Sequence, residues 1–212
     1  NFPTTLAQGG AILDGYLFLM DEDGIIYNSA IDDVDTFPAT GFITAERNHD
    51  KGVYLGRHRE GIVAFGTRTI EFFYDAANKV GSPLNRRQDI FHNIGCGDGL
   101  SVWENGDIVY FAGSDPSGSL GIYKLENYGL EKVSTDTIGS YINHNITKES
   151  LRIAGTGVNA QGHLFYILTV YSLSTAATPA IAPDTTLVYD TMTKLWGVWT
   201  TTINGNTTFP LM

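Results

Sequence analysis

A single cysteine, Cys96, stands in the 212 residues, so no disulfide can close within one chain and no thiolate metal cluster can assemble. Charge is sparse as well: Asp, Glu, Lys and Arg make up 17% of the chain, against roughly 25% in average soluble domains. Basic residues are the scarcer kind, 13 against 23 acidic ones, for a formal net charge of −10. Counterion release from nucleic acid needs Lys and Arg set against phosphates, so tight DNA binding is excluded unless a local patch supplies it. The densest basic stretches, Arg57-His58-Arg59 and Arg86-Arg87, read as ordinary solvated loops. Long apolar runs are missing too. Leu164–Val170 is the longest, far short of the roughly 20 residues a bilayer-spanning helix needs, and no basic segment leading into an apolar run marks a secretory leader. The chain begins at Asn1 rather than Met and closes on no terminating motif, and the expectation is a fragment or a processed product.

What the chain has instead is glycine and aromatic residues: 24 Gly, 11 Tyr, 11 Phe and 3 Trp, within a hydrophobic fraction of 42%. Aromatic side chains pack well on pleated surfaces and glycine supplies the positive φ of tight turns, so the mixture suits strands joined by short hairpins. The length is enough to bury a substantial core in one large domain or part of a larger one.

The strands recur. Four times a polar residue and a glycine precede an apolar run: Asp14-Gly15 before Tyr16–Leu19, Glu60-Gly61 before Ile62–Phe65, Asn105-Gly106 before Ile108–Phe111, and Gln161-Gly162 before Leu164–Leu168. The glycines lie 46, 45 and 56 residues apart. Such pairs are hairpin signals, because both central residues of a type I′ turn need φ above zero. A second strand follows each run, at Gly24–Tyr27, Thr69–Tyr74, Gly121–Lys124 and Thr186–Asp190, and each passes through an apolar residue into Tyr. Outer strands are predicted at Leu130–Ser134 and Leu195–Trp199, and preceding ones at Val53–Gly56 and Leu100–Trp103. Four strands per unit at this period match a propeller blade. The inner runs are continuously apolar and do not alternate, which requires two dry faces, as a blade has between its neighbours. The expected fold is all-β, a propeller-like array of about four antiparallel blades within a larger propeller, forming a single domain or fragment over residues 1–212 with units at about 9–45, 51–94, 99–135 and 150–200. Ser134-Thr135-Asp136 predicts one short helix towards Asn143, and Ser172–Asp184 a projecting loop rich in Ser, Thr, Ala and Pro.

Several motifs look chemical, and each has a structural reading that accounts for it better. Asp21-Glu22-Asp23-Gly24 opens like a calcium loop, but loop positions five and twelve, which need an oxygen ligand and a bidentate Glu, hold Ile25 and Asp32; a polar hairpin turn suffices. Gly155-Thr156-Gly157-Val158-Asn159-Ala160 spells a dinucleotide fingerprint, yet a strand follows where a helix must begin. Gly95-Cys96-Gly97-Asp98-Gly99 lacks the third glycine of that motif. His49, His58, His92, His144 and His163 show no zinc-binding spacing and read as surface or strand residues. Asp32, Asp33 and Asp35 read as a solvated loop rather than a glycosidase pair. Ser114-Asp115-Pro116-Ser117-Gly118 is similar to the Asp-box turn of sialidase propellers without its Thr-Trp ending, and Asn145-Ile146-Thr147 and Asn206-Thr207-Thr208 are formal glycosylation sequons. No catalytic, cofactor-binding or metal-ligating residue is assigned, and no cofactor is expected.

Gly66-Thr67-Arg68-Thr69-Ile70-Glu71-Phe72-Phe73-Tyr74 is a strand of the pattern G-x-x-T-I-E. Gly81-Ser82-Pro83-Leu84, Ile94-Gly95-Cys96, Ser101-Val102 and Tyr110–Asp115 follow it. Gly118, Gly121-Ile122-Tyr123, Val133-Ser134-Thr135, Gln161–Tyr166, Val188-Tyr189-Asp190 and Trp196 extend the series over roughly Gly15–Trp199. Taken in order, these segments resemble the packaged-DNA stabilisation proteins of short-tailed bacteriophages. The resemblance implies a non-enzymatic tail hub or nozzle protein that assembles as a ring of copies below the portal. There it keeps packaged DNA in and later lets it pass. The implied partners are portal or adaptor proteins, distal tail proteins and passing double-stranded DNA without sequence-specific contacts, with no membrane; the implied location is the virion, after assembly in the host cytoplasm. Two other classes compete: a phage adhesin or glycan-binding propeller, which needs a shallow pocket of aromatics and amides, and an enzyme on a propeller scaffold, since Val188-Tyr189-Asp190-Thr191 with Trp196 is similar to the kelch strand pattern.

Overall fold

The computed structural model describes residues 5–45, 50–146, 152–173, 181–203 and 206–208. Strands dominate, gathered into four sheets of four or five strands and a two-stranded ribbon. Sheet 1 is a meander of Ala11–Leu13, Tyr16–Met20, Ile25–Asn28 and Phe42–Thr44. Sheet 2 contains Gly52–His58, Gly61–Gly66, Ile70–Asp75 and Leu84–His92. In sheet 3 the first strand is split: Gly95–Cys96 and Trp103–Asn105 both pair with Ile108–Ser114, and Leu120–Glu126 and Gly129–Lys132 follow. Sheet 4 is Arg152–Ala160, His163–Leu173, Ile181–Asp190 and Trp196–Trp199. Neighbours along each chain are antiparallel. The exception to chain order is Gln8–Gly9, which pairs in parallel with Gly52–His58 and so ties the segment before sheet 1 to the inner edge of sheet 2. Two residues without an apolar signature leave no trace of this in the sequence.

The inner hairpins form where the polar–glycine pairs predict them, with turns of two kinds. Asp14-Gly15 (φ 49° and 81°) and Gln161-Gly162 (54° and 82°) hold both central residues at positive φ, as a type I′ turn requires. The other two slip by one residue. Asn105 pairs with Ile108 and His58 with Gly61, so the turns are Gly106-Asp107 and Arg59-Glu60. Gly61, expected at a turn, opens the next strand instead.

The apolar runs are buried on both faces, and they divide between neighbouring sheets residue by residue. Ile62 and Ala64 join Phe18, Met20 and Ile26 in the core between sheets 1 and 2, while Val63 and Phe65 turn the other way to meet Val109 and Phe111 of sheet 3. Tyr110 and Ala112 in turn face Tyr166 and Leu168 of sheet 4. A strand read by one neighbour on even residues and by the other on odd residues cannot afford polar alternation. On the outer face of sheet 1 Ile12 (62% exposed) and Phe42 (48%) stand out; on the far side of sheet 4 Val158 and Trp199 are exposed, while Ile167, Thr169, Thr186 and Val188 on that same side are buried.

The helix spans Asp136–Ile146, with Ile138 N donating to Thr135 Oγ1 at 3.3 Å. Asn143 anchors it, accepting from Leu120 N and donating to Leu120 O, each at 2.8 Å. The predicted loop over 172–184 is corrected. His163–Leu173 and Ile181–Asp190 extend into it as paired strands, with Leu173 opposite Ile181, so only 174–180 lies outside the described residues.

Candidate functional site

The carboxylates that looked like ligands are occupied in holding turns. Asp21 Oδ1 accepts from the backbone N–H groups of Asp23 (3.0 Å) and Ile25 (2.9 Å), and Oδ2 from the Tyr27 hydroxyl at 3.0 Å. Asp115 repeats the arrangement between the corresponding strands of sheet 3, its Oδ1 accepting from Ser117 N (2.8 Å) and Ser119 N (3.0 Å); the Ser117 hydroxyl and these N–H groups hold its carboxyl below the usual range. The calcium-like Asp21–Gly24 and the Asp-box-like Ser114–Gly118 are thus one device used twice, an Asx-braced hairpin. Asp33 accepts from Asp35 N in the loop that joins Ile25–Asn28 to Phe42–Thr44 within sheet 1. Among the described residues no group of three His, Cys, Asp or Glu side chains is placed to hold a metal ion.

The glycine motifs are close-approach points. Gly157 lies within Arg152–Ala160, and a Cβ there would run into the indole of Trp103. Gly95 passes the backbone of Thr67 in the same way. Cys96 is buried beside it, and burial pushes its thiol up to about 12; a thiol so rarely ionised is a poor nucleophile.

Of the histidines, His92 Nε2 lies 2.8 Å from the Tyr128 carbonyl and His163 Nδ1 2.7 Å from Asp190 Oδ2. Burial raises Asp190, but the Thr193 hydroxyl, the Met192 N–H and His163 more than offset that and bring it to about 2. His49 and the side chain of His144 lie outside the described residues, as does Thr147 of the first sequon; the second sequon lies in the ribbon strand Asn206–Thr208. His58 is corrected from a solvated stretch to a core position: it is 1% exposed between sheets 2 and 3.

The basic pair is corrected as well. Arg86 and Arg87 lie in the strand Leu84–His92, not in a loop. Arg86 Nε sits 2.7 Å from Glu71 Oε2, and its NH2 group donates to Thr44 O of sheet 1 at 2.6 Å. Arg87 lies over the rings of Tyr74 and Tyr128. Glu71 was readable in one respect: a carboxylate within the buried run Ile70–Phe73 needs an internal cation. Which arginine supplied it was not.

The seams between sheets therefore carry most of the specific contacts, and the open surfaces carry few. A cleft of about 1030 Å³ at the inner edges is lined by Gln8, Glu22, Lys51, Asp98, Gly99 and Arg152, among others, a mixture of both signs of charge. A second groove, about 1260 Å³, runs between the Thr67-Arg68 turn and the Asp115–Gly118 hairpin. Neither gathers a nucleophile with a base, nor a set of aromatic rings suited to a sugar.

Comparison with known proteins gives the same architecture a lineage. The family described as Bacteriophage P22 Gp10, beta-propeller, matches residues 7–209. No curated protein sequence matches. Among solved structures, the chain is similar to BamB from Moraxella catarrhalis at 11% identity and a TM-score of 0.46, covering 90% of this chain and 51% of that one. It is also similar to the Pan2 WD40 domain of Neurospora crassa at 11% identity and a TM-score of 0.35, covering 92% and 64%. The chain thus spans about half of BamB and under two thirds of the Pan2 domain. With four antiparallel sheets packed in chain order and a family match over nearly its whole length, the chain belongs to the phage packaged-DNA stabilisation family of β-propeller proteins.

Proposed function

We propose that the chain is a non-enzymatic virion protein of the phage tail hub or nozzle, and that copies of it assemble as a ring below the portal. The ring retains packaged DNA and forms part of the passage through which the DNA leaves. The observation that carries this reading is the family match over residues 7–209 on a body whose conspicuous carboxylates and glycines are spent on turns and close packing. Residues 1–212 act as a single propeller domain or as part of a larger one, and contacts to portal or adaptor proteins and distal tail proteins are made by its rims.

Two features bear on the passage. The inner edge of sheet 2 is taken by Gln8–Gly9, and Gly99 packs against Gln8 and Val53, so chain narrows the cleft at the array's own inner edges. On this reading the duplex runs between copies rather than along the axis of one copy. With a formal net charge of −10, a wall built from such copies repels phosphates and lets DNA slide without sequence-specific contacts. Assembly takes place in the host cytoplasm, with no role for a membrane.

The test uses DNA-filled phage heads that lack tail proteins. Adding the purified chain with its portal is expected to slow escape of DNA, read as dye accessible to the released duplex. Heads that leak at an unchanged rate, together with no sedimentation of the chain with them, would overturn the reading.

A further inference from the structure

His58 ends the strand Gly52–His58 and points into the seam between sheets 2 and 3. Neither of its ring nitrogens has a hydrogen-bond partner among the described residues. The imidazole stands edge-on to the ring of Tyr128, with centroids 5.2 Å apart and planes at 76°, and lies 5.9 Å from Phe72. Tyr128 belongs to sheet 3. It sits in the hairpin Asn127-Tyr128, where both residues hold positive φ (50° and 65°), a conformation unfavourable for a bulky side chain and maintained only where surroundings over-determine it. Those surroundings come from sheet 2. Phe72 packs edge-on at 5.1 Å, Arg59 and Arg87 lie over the ring at 5.6 and 5.3 Å, and His92 reaches the Tyr128 carbonyl.

The charges that face His58 are unequal to the task of holding a proton on it. Asp107, from the adjoining turn of sheet 3, favours the imidazolium, and Arg59 in its own turn opposes it, as does burial, which is the largest influence. Arg87 adds a further cation at the shared Tyr128 ring, and His92 a second titratable group. Glu104, near Tyr54, is another ionisable group of the same seam, as are Tyr54 itself and Cys96.

We propose that His58 is a proton-operated latch: a proton on its ring expels it from the slot between Phe72 and Tyr128, and the Asn127-Tyr128 hairpin comes away from sheet 2. Neutral His58 is an aromatic filler, and charged His58 is a buried cation that Asp107 offsets only in part and Arg59 opposes. The sign follows from the depressed pKa. Stability due to neutral His58 is fully present above its ordinary 6.5 and is lost as pH falls through the lower folded value. Acid therefore loosens one seam of the array before the others, which gives a virion protein a means of changing its packing without cleavage or a ligand.

Hydrogen exchange on the full chain tests this, with rates corrected for intrinsic pH dependence. Between pH 7.5 and pH 5 the amides of Asn127–Gly129 and of the Arg59 turn are expected to lose protection. The loss is about tenfold for each unit by which the folded His58 pKa lies under the unfolded one, while Arg152–Ala160 keeps its protection. His58→Phe keeps the packing and is expected to abolish the acid-induced loss. His92→Gln is expected to retain it. An unchanged loss in His58→Phe overturns the proposal, and so does a loss that vanishes in His92→Gln. If His58→Phe does not fold, the wild-type ring decides: a His58 signal titrating at or above pH 6.5 with the hairpin still protected overturns the latch, and one silent until the hairpin opens supports it.

Discussion

The two seams flanking sheet 3 solve the same packing problem with different chemistry. Towards sheet 4, Trp103, Tyr110 and Tyr166 stack face to face at 5.4–6.2 Å with planes within 21°. The Tyr166 hydroxyl donates to Ser101 O at 2.6 Å, and in the same core Trp196 Nε1 donates to Val133 O at 2.9 Å. Burial raises the Tyr110 hydroxyl to about 12 and Tyr166 well above its ordinary value, so nothing in this stack titrates near neutrality. Towards sheet 2 the rings meet edge-on, as Phe65 does Phe111 at 5.0 Å, and ionisable groups are enclosed with them, His58 and Glu104. One seam is indifferent to pH over the range where the other changes charge. Rigidity and responsiveness are thus assigned to opposite faces of a single sheet.

The largest effect expected on either seam comes from emptying it. Phe111 is fully buried in the seam towards sheet 2, and Phe111→Ala is expected to cost about 3–5 kcal/mol, read as the loss of unfolding free energy in urea at pH 8. A loss under half of that would mean the seam collapses to fill the space, and the edge-on packing would then count for less than the contrast requires. Next comes overfilling, which separates rigid from yielding neighbours. A methyl at Gly157 meets the Trp103 indole, held in its stack, whereas a methyl at Gly56 meets first the end of the Glu104 side chain and then, at 2.9 Å, the edge of the Tyr54 ring. Gly157→Ala is expected to lose about 1–3 kcal/mol, and Gly56→Ala less, since its closest obstacle is a carboxylate that swings aside. Equal losses in the two variants would erase the distinction between the seams.

Much of this fold was legible, and the reasons are particular. Ile62–Phe65 and Ile108–Phe111 are apolar at every position, and that pattern alone requires a sheet covered on both sides. The turn pairs at Asp14-Gly15 and Gln161-Gly162 set their registers. Misreadings fell where tertiary contacts override local signals. Arg59 takes a positive φ (55°) two residues before Gly61, because the ladder His58–Gly61 fixes the turn one residue earlier. His58 and Arg86 look like surface residues in a list of charges and are made internal by Tyr128 and Glu71, which lie 70 and 15 residues away in the chain. The family was legible only through resemblance, because the sequence offers no constellation of reacting groups from which a role could be read.

The smaller effects sharpen the electrostatic side of the comparison. Tyr166→Phe removes the bond to Ser101 O and is expected to cost about 1 kcal/mol, with no change in the pH profile, since the seam it weakens is neutral either way. A pH-dependent loss in this variant would show that the aromatic stack is coupled to the other seam. The smallest effect is expected at Glu104. Burial raises its pKa above the ordinary 4.5, partly offset by the hydrogen bond from Tyr54 at 3.3 Å. A raised carboxylate works in the opposite sense to His58. The folded state binds the proton more readily than the unfolded one, so ionised Glu104 weakens the seam at neutral pH, and the weakening is relieved as pH falls through the folded value. Glu104→Gln keeps an acceptor for Tyr54 and removes the charge. It is therefore expected to stabilise slightly at pH 8, by an amount that shrinks to nothing below about pH 4, its ordinary range. In the wild type the two groups oppose each other on the way down in pH, His58 loosening the seam first and Glu104 partly restoring it. Glu104→Gln should accordingly deepen the relative loss between pH 8 and pH 4, and a profile that stays parallel to the wild type throughout would show that the carboxylate is solvated and takes no part in the seam.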